Sequence, residues 1–318
     1  MRIRRTVYIF LSSLAVACSA MAEPAEKTIT PDAIPTAGSR YQYAMTVTRR
    51  SEIPAEAREK QPELMRAMDF RLEGDVTVSI TAVTPSGYEL HWQANMTEPT
   101  PRTKPGAPDD IVRQKHLFEL NLPLDVMVDL RPARPEATIR NITEVRRQMF
   151  AKVRELLGPK AVAYGCADES EQTRCPLIKG GEKQLESTIV SEISPLFACS
   201  SSRLTDASLL HWREVRHATA SSLQLAMDLY VHDRKTDNQA GTMKLQLEAI
   251  PDANSLKTTD AATENTEIIR NVLRGMRTTA DCVVSTTSAM PLDIDYVERV
   301  ANTSPDVVVS NTVHLKRR

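Results

Sequence analysis

The sequence predicts an α+β fold: long antiparallel strands forming a curved sheet or half-barrel, with two or three amphipathic helices. Three observations predict it. Apolar and polar residues alternate over several long stretches, the period of strands with one buried face. Two pairs of these stretches fold back across turn-forming or polar segments. The apolar spacing then switches to the helical period at two places, 142–157 and 260–276.

The first alternation puts Tyr41, Tyr43, Met45 and Val47 on one face. After a charged connection at 51–67, Val76, Val78, Ile80 and Ala82 repeat it. Pro85-Ser86-Gly87 turns the chain, and Tyr88, Leu90, Trp92, Ala94 and Met96 alternate on the return, which predicts a hairpin. A proline-rich loop at 98–108 leads to further period-two residues: Phe118, Leu120 and Leu122, then Val126, Val128 and Leu130.

At Asn141 the pattern becomes helical, with Val145, Met149, Phe150, Val153, Leu156 and Leu157 on one stripe. Asn141 with Glu144 three residues on predicts a capping box, and Gly158-Pro159 a stop. A second helix or strand falls near 182–193. Leu223, Leu225, Met227, Leu229 and Val231, then Met243, Leu245, Leu247 and Ala249, predict a second hairpin around the polar loop 233–241. A helix near 260–276 carries Ile268, Ile269, Val272, Leu273 and Met276, and three strand-like segments finish the chain at 278–287, 292–300 and 306–315. Strands followed by a helix thus occur twice, and each tryptophan follows a histidine (His91-Trp92, His211-Trp212), which hints at a duplicated unit.

Residues 1–22 read as a secretory signal peptide. Arg2, Arg4 and Arg5 form a positive start, 7–17 an apolar stretch too short for a permanent anchor, and Ala20-Met21-Ala22 a small-x-small cleavage site. Leu14-Ala15-Val16-Ala17-Cys18 resembles a lipobox, with Ala15 where the usual leucine stands. Cleavage after Ala22 with release into the periplasm is the expectation; lipid anchoring through Cys18 is the alternative. The predicted organisation is then a flexible leader at 23–39, a β-rich unit ending in a helix at 40–160, a disulfide-bearing connector at 161–205 and a second β-rich unit with a helix at 206–318.

Cleavage removes three arginines and no acid, moving the net charge from −1 to about −4. A mildly acidic chain of mixed sign argues against nucleic-acid recruitment by bulk charge. No later apolar run reaches the ~18 residues of a transmembrane helix. Four cysteines remain, Cys166, Cys175, Cys199 and Cys282, an even number that predicts two disulfides in an exported chain. Cys166 and Cys175 flank a polar segment and would staple its base, which leaves Cys199 for Cys282.

The chemistry-bearing patterns are sparse. His91, His116, His211, His217, His232 and His314 are scattered singly, with no metal-ligand spacing, so no metal site is expected. No G-x-S-x-G elbow surrounds the serines after Cys199, and the ten glycines form no phosphate-binding loop, so neither a catalytic residue nor a cofactor is predicted. The apolar strand faces are what remains. They predict a non-catalytic envelope protein that holds a lipid, a lipidated chain or another apolar ligand in a β-rich cavity. The residues expected to bind it are Met45, Trp92, Met96, Leu225, Met227 and Leu245, with methionines as an adaptable lining. The plan is similar, in architecture alone, to the carriers of lipoproteins and lipids in bacterial envelopes. The alternative is a protein–protein interaction or assembly factor with a filled core and an envelope protein as partner.

Overall fold

The alternating residues form strands because only a two-residue period places every second side chain on one face. The computed structural model describes residues 18–19, 34–52, 69–99, 108–130, 135–167, 175, 177–178, 181–200, 210–218, 223–258, 263–288, 290–303 and 306–318. Most of the signal segment, residues 23–33 of the leader, the connection 53–68 and most of the loop between Cys166 and Cys175 lie outside the described residues.

In chain order the elements are β1 (Arg40–Glu52), β2 (Phe70–Thr84), β3 (Gly87–Thr97), α1 (Pro108–Leu120), β4 (Leu124–Asp129), β5 (Glu136–Ile139), α2 (Ile142–Leu157) and α3 (Glu182–Ile193). There follow β6 (His211–Ala218), β7 (Leu223–Asp237), β8 (Thr242–Thr258), α4 (Thr263–Arg274), β9 (Met276–Ser285), β10 (Pro291–Thr303) and β11 (Asp306–Arg317). The molecule is mostly β, a large antiparallel sheet of eleven strands that is not closed, with few short helices. The order across it is β6-β7-β8-β9-β10-β11-β1-β2-β3-β4-β5, and a two-residue ladder, Cys18–Ser19, lies against β6 at one edge. Every neighbour is the next strand in sequence except where β11 meets β1, pairing Val313 with Val47 and Leu315 with Met45. Two meanders are joined there, in the middle of the sheet, by β11 and β1.

One sheet face is predominantly apolar. Tyr43, Met45, Val47, Val76, Val78 and Trp92 are buried in the first meander, and Met227, Leu245, Cys282, Ile294 and Val313 in the second, all within one cluster. The opposite face is polar and laced by cross-strand pairs. His91 meets Asp125 at 2.8 Å, His232 meets Glu248 at 2.9 Å and His314 meets Asp295 at 2.7 Å. His211 meets Asp228 at 3.2 Å and stacks on Tyr230.

The helices pack on the apolar face. Helices α1, α2 and α3 contact one another, with α1 also on β3 and α3 on β5, while α4 lies on β8 and β10. Helix α2 buries Val145, Met149, Phe150, Val153 and Leu157, five of the six residues of its predicted stripe. Its predicted capping box does not form. The Asn141 side chain instead accepts from the Asp125 backbone N–H (3.0 Å) and donates to the Pro123 carbonyl (3.1 Å), so it ties the helix start to β4. Glu144 turns outward to Arg147 and Gln148.

Helix α1 is a correction. Phe118, Leu120 and Leu122 read as a strand by their alternation, yet 108–120 is helical. Pro108 at the first position with Asp109 and Asp110 behind it is a helix start, and it outweighs three residues of chance alternation. Met276 likewise belongs to β9, because Gly275 ends the helix with its backbone against Ala301. Both predicted disulfides are present, Cys166–Cys175 (Cα–Cα 4.7 Å) and Cys199–Cys282 (6.5 Å). They point to an oxidising environment. No helix among the described residues is long and apolar enough to cross a membrane.

Candidate functional site: a hollow on the apolar face

Cross-strand register decides where the apolar face has room. Across β6 to β9, Trp212 sits opposite Leu229, Leu229 opposite Ala249, and Ala249 opposite Thr278. One step along, Leu247 faces Ala280, and Ala280 faces Tyr296. Small side chains therefore lie between large ones. Ala249, Ala280 and Thr278 leave a hollow of about 30 Å³, walled by Trp212, Leu229 and Tyr296 and open to solvent on one side. That is room for one or two water-sized groups. Ala198, next to the cysteine that bonds Cys282, forms part of the wall.

Most of the wall is apolar, and its polar members are Tyr230, Glu248 and Thr278. Thr278 is buried. Trp212 is 8 % exposed, and its indole Nε1 has no hydrogen-bond partner among the described residues. The other tryptophan differs: Trp92 Nε1 donates to the Leu120 carbonyl at 3.5 Å.

The six residues predicted to bind a ligand are all buried, and none walls this hollow. Met45, Gly74 and Met96 form one row across β1, β2 and β3, and Trp92 lies four residues before Met96 on the same face of β3. Leu225, Met227 and Leu245 lie in the second meander, Leu245 beside Cys282. The structure thus brings Met45 and Met96 together and leaves the other set apart. Sequence reasoning missed Trp212, Ala249, Thr278, Ala280 and Tyr296. The available signal was alanine or threonine at inward positions of two adjacent strands, Ala249 on β8 and Thr278 and Ala280 on β9, which matters only once the register is known.

A second concentration of polar groups lies under the helices. Arg113 of α1 pairs with Glu98 at the end of β3 (2.7 Å) and with Asp110, all three nearly buried. Glu119 pairs with Lys115 and lies 3.6 Å from His116, whose other nitrogen is 3.8 Å from Glu192 of α3. The His116 ring also packs on Phe70 of β2 at 4.9 Å. This cluster holds α1 to β3 and α3. Burial pushes the Glu119 carboxyl up, but Lys115 and His116 outweigh it and bring it from 4.5 down to about 2.

A carboxyl depressed on folding stabilises the protein above its unfolded value and loses that contribution as pH falls through its folded one. Glu119 therefore contributes about 3 kcal/mol at neutral pH, lost between pH ~4.5 and ~2. Urea unfolding of Glu119→Gln should show that loss at pH 7 and a flatter stability profile below pH 4.5. Equal acid slopes for variant and parent would overturn the assignment.

No group of three or more potential metal ligands occurs among the described residues. The cluster under the helices is an ion-paired clasp, whereas the hollow combines a mostly apolar wall with open space. Compared with known proteins, the chain matches no family model and no curated sequence.

Proposed function

We propose that the chain is exported to the periplasm, loses residues 1–22, and there binds an apolar ligand, a lipid or a lipidated chain, without transforming it. In this reading the open sheet is a half-barrel whose apolar face receives the ligand in its second meander. The observation that carries the reading is the hollow between Trp212 and Tyr296, open to solvent on an otherwise buried apolar face. Its cover differs from that of the first meander. Helix α4 contacts β8 and β10, whereas α1, α2 and α3 pack on one another over the first. A single helix is the simpler element to displace, since it has fewer partners to break. The ligand chain then extends from the hollow along the face that α4 covers, which accounts for a hollow smaller than the ligand.

A second reading, an assembly factor, draws on the edge strand β6. Val215 and the preceding Leu210 are exposed there, at 50 % and 61 %. An edge strand offers unpaired backbone to a partner chain.

Native mass spectrometry of the protein purified gently from the periplasm separates the two. A discrete adduct in the lipid mass range, lost on denaturation, is the expected result. A bare chain, unchanged by added phospholipid vesicles and lighter by the hydrogens of two disulfides, would sink the ligand reading in favour of the assembly factor. The same spectrum reports the N-terminus: a start at Glu23 is expected, and a diacylated Cys18 would establish lipid anchoring instead.

A further inference from the structure

The two edges of the sheet are finished differently. At the β5 edge the strand has only four residues, and Pro135 stands directly before it. The outward N–H of Ile139 there donates to Glu186 of α3 at 2.7 Å, so a helix covers the exposed backbone. The β6 edge has none of these guards. Its eight residues contain neither proline nor glycine and pair with β7 over seven unbroken rungs, His211 to His217. The Leu210 carbonyl accepts from the Val231 N–H on the β7 side at 2.9 Å, so by alternation His211, Arg213, Val215 and His217 turn their backbone groups outward. Arg213 is drawn over the sheet to Asp228 and Asp252, and Val215 stands exposed. Among the described residues only Cys18–Ser19 lie along this edge, Cys18 opposite Ala218 and Ser19 opposite His217.

We propose that the mature protein is a two-fold dimer in which β6 of one copy pairs antiparallel with β6 of a second, and that removal of the leader uncovers this edge. The uncovering rests on the cleavage after Ala22 proposed above; the dimer does not depend on what the apolar face binds. The edge also selects its register. Facing residues of an antiparallel pair share a sheet face, and only residues with outward backbone groups exchange hydrogen bonds, so one residue must sit on the two-fold axis. Arg213, Glu214 or Arg216 on the axis would set like charges directly opposite each other. Val215 there meets its own copy, an apolar pair. The same register sets Glu214 opposite Arg216 on both sides of the axis and aligns 212–218 of the two strands. Cys18 and Ser19 occupy the rungs at Ala218 and His217, which Trp212 and Arg213 of the second copy take in the dimer. Leader and second copy therefore exclude each other.

Sedimentation velocity of the chain 23–318 tests the dimer. The chain is exported behind an unrelated cleavable signal peptide, so that the result holds whichever way the native leader is processed. A monomer–dimer equilibrium is expected, with a dissociation constant of about 1–100 μM for a contact of one strand. Val215→Pro removes an outward N–H and leaves the hydrogen bonds to β7 in place, a position where an edge strand tolerates proline. It should give a folded chain by circular dichroism whose dimer is weakened by about tenfold or more. Glu214→Arg should weaken the dimer similarly. Combining it with Arg216→Glu should restore the dimer, because the Val215 register puts these two residues opposite one another.

A monomer over the whole concentration range would overturn the dimer and leave the edge to a different protein. A dimer that Val215→Pro leaves intact would overturn the β6 contact, and failure of the double exchange to restore association would overturn the register. Should Val215→Pro not fold, the charge exchange still decides the matter. The N-terminus of the native protein, read by mass, tests the uncovering separately: a retained Cys18 would overturn that half and leave the dimer of 23–318 standing.

Discussion

Replacing Cys199 and Cys282 together by alanine destabilises the chain by about 4–5 kcal/mol, against about 2.6 kcal/mol for the matching pair at Cys166 and Cys175. The difference follows from the length of chain each bond closes. Cys199–Cys282 spans a separation of 83 residues and Cys166–Cys175 only 9. A link across the longer loop removes more freedom from the unfolded chain. The native contacts add to the effect. Cys282 lies between Leu245 of β8 and Ile294 of β10 on the apolar face, and Cys199 follows the turn Ser194–Phe197 that contacts β10. The bond therefore pins the end of the helical segment to the middle of the second meander, beside the hollow. Guanidinium unfolding of the two double variants should rank them in this order, and equal losses would overturn the loop-length argument. The long-range pair should also weaken ligand adduct formation, because Ala198 is part of the wall.

How much of this was legible from sequence depends on the range of the interaction. The strands β1, β2, β3, β7 and β8 were legible because each buries every second residue, and one face announces itself by apolar spacing alone. The disulfides were legible because one short polar loop fixed the first pair and elimination the second. Helix α1 was hidden by Phe118, Leu120 and Leu122, whose spacing imitates a strand while the cue at Pro108-Asp109-Asp110 lies a full turn and more upstream. Strand β6 was hidden for a different reason. At an edge it presents His211, Arg213 and Val215 to solvent, so only Trp212 of its first residues marks a buried face by its apolar character.

The site was the least legible part. Alternation identifies the face that is buried but not what fills it. Met45, Trp92, Met96, Leu225, Met227 and Leu245 were singled out as large, adaptable residues, yet a hollow forms where inward side chains are small. That requires Ala249, Thr278 and Ala280 to fall side by side, and their alignment is a property of register between strands separated in sequence. The pairing of β11 with β1, which unites the two meanders, is non-local in the same way and leaves no trace in either segment alone.

Gly74→Ala is expected to destabilise the first meander by about 3 kcal/mol or more. Backbone conformation is not the reason; the cost comes from space. A Cβ at Gly74 would lie 2.1 Å from the Asn95 carbonyl oxygen and 2.7 Å from the Met96 Cα, both main-chain atoms that no rotamer change can move. Relief requires β3 to shift away from β2, and β3 is held from its other side. Beyond Trp92 it has no strand neighbour there among the described residues, and the Asn121 side chain takes that place, accepting from the Met96 N–H (2.6 Å) and donating to the Met96 carbonyl (2.9 Å). The glycine and the asparagine thus grip the same residue from opposite sides. Thermal unfolding should show a large loss for Gly74→Ala and a small one for Gly181→Ala, whose added carbon would meet nothing within 4 Å. The coupling is the sharper test. In the Gly74→Ala background, Asn121→Ala should cost less than in the parent, because the strand it held must move in any case. Strict additivity of the two losses would mean that β3 yields without disturbing Asn121, and the account of a clamped strand would fall.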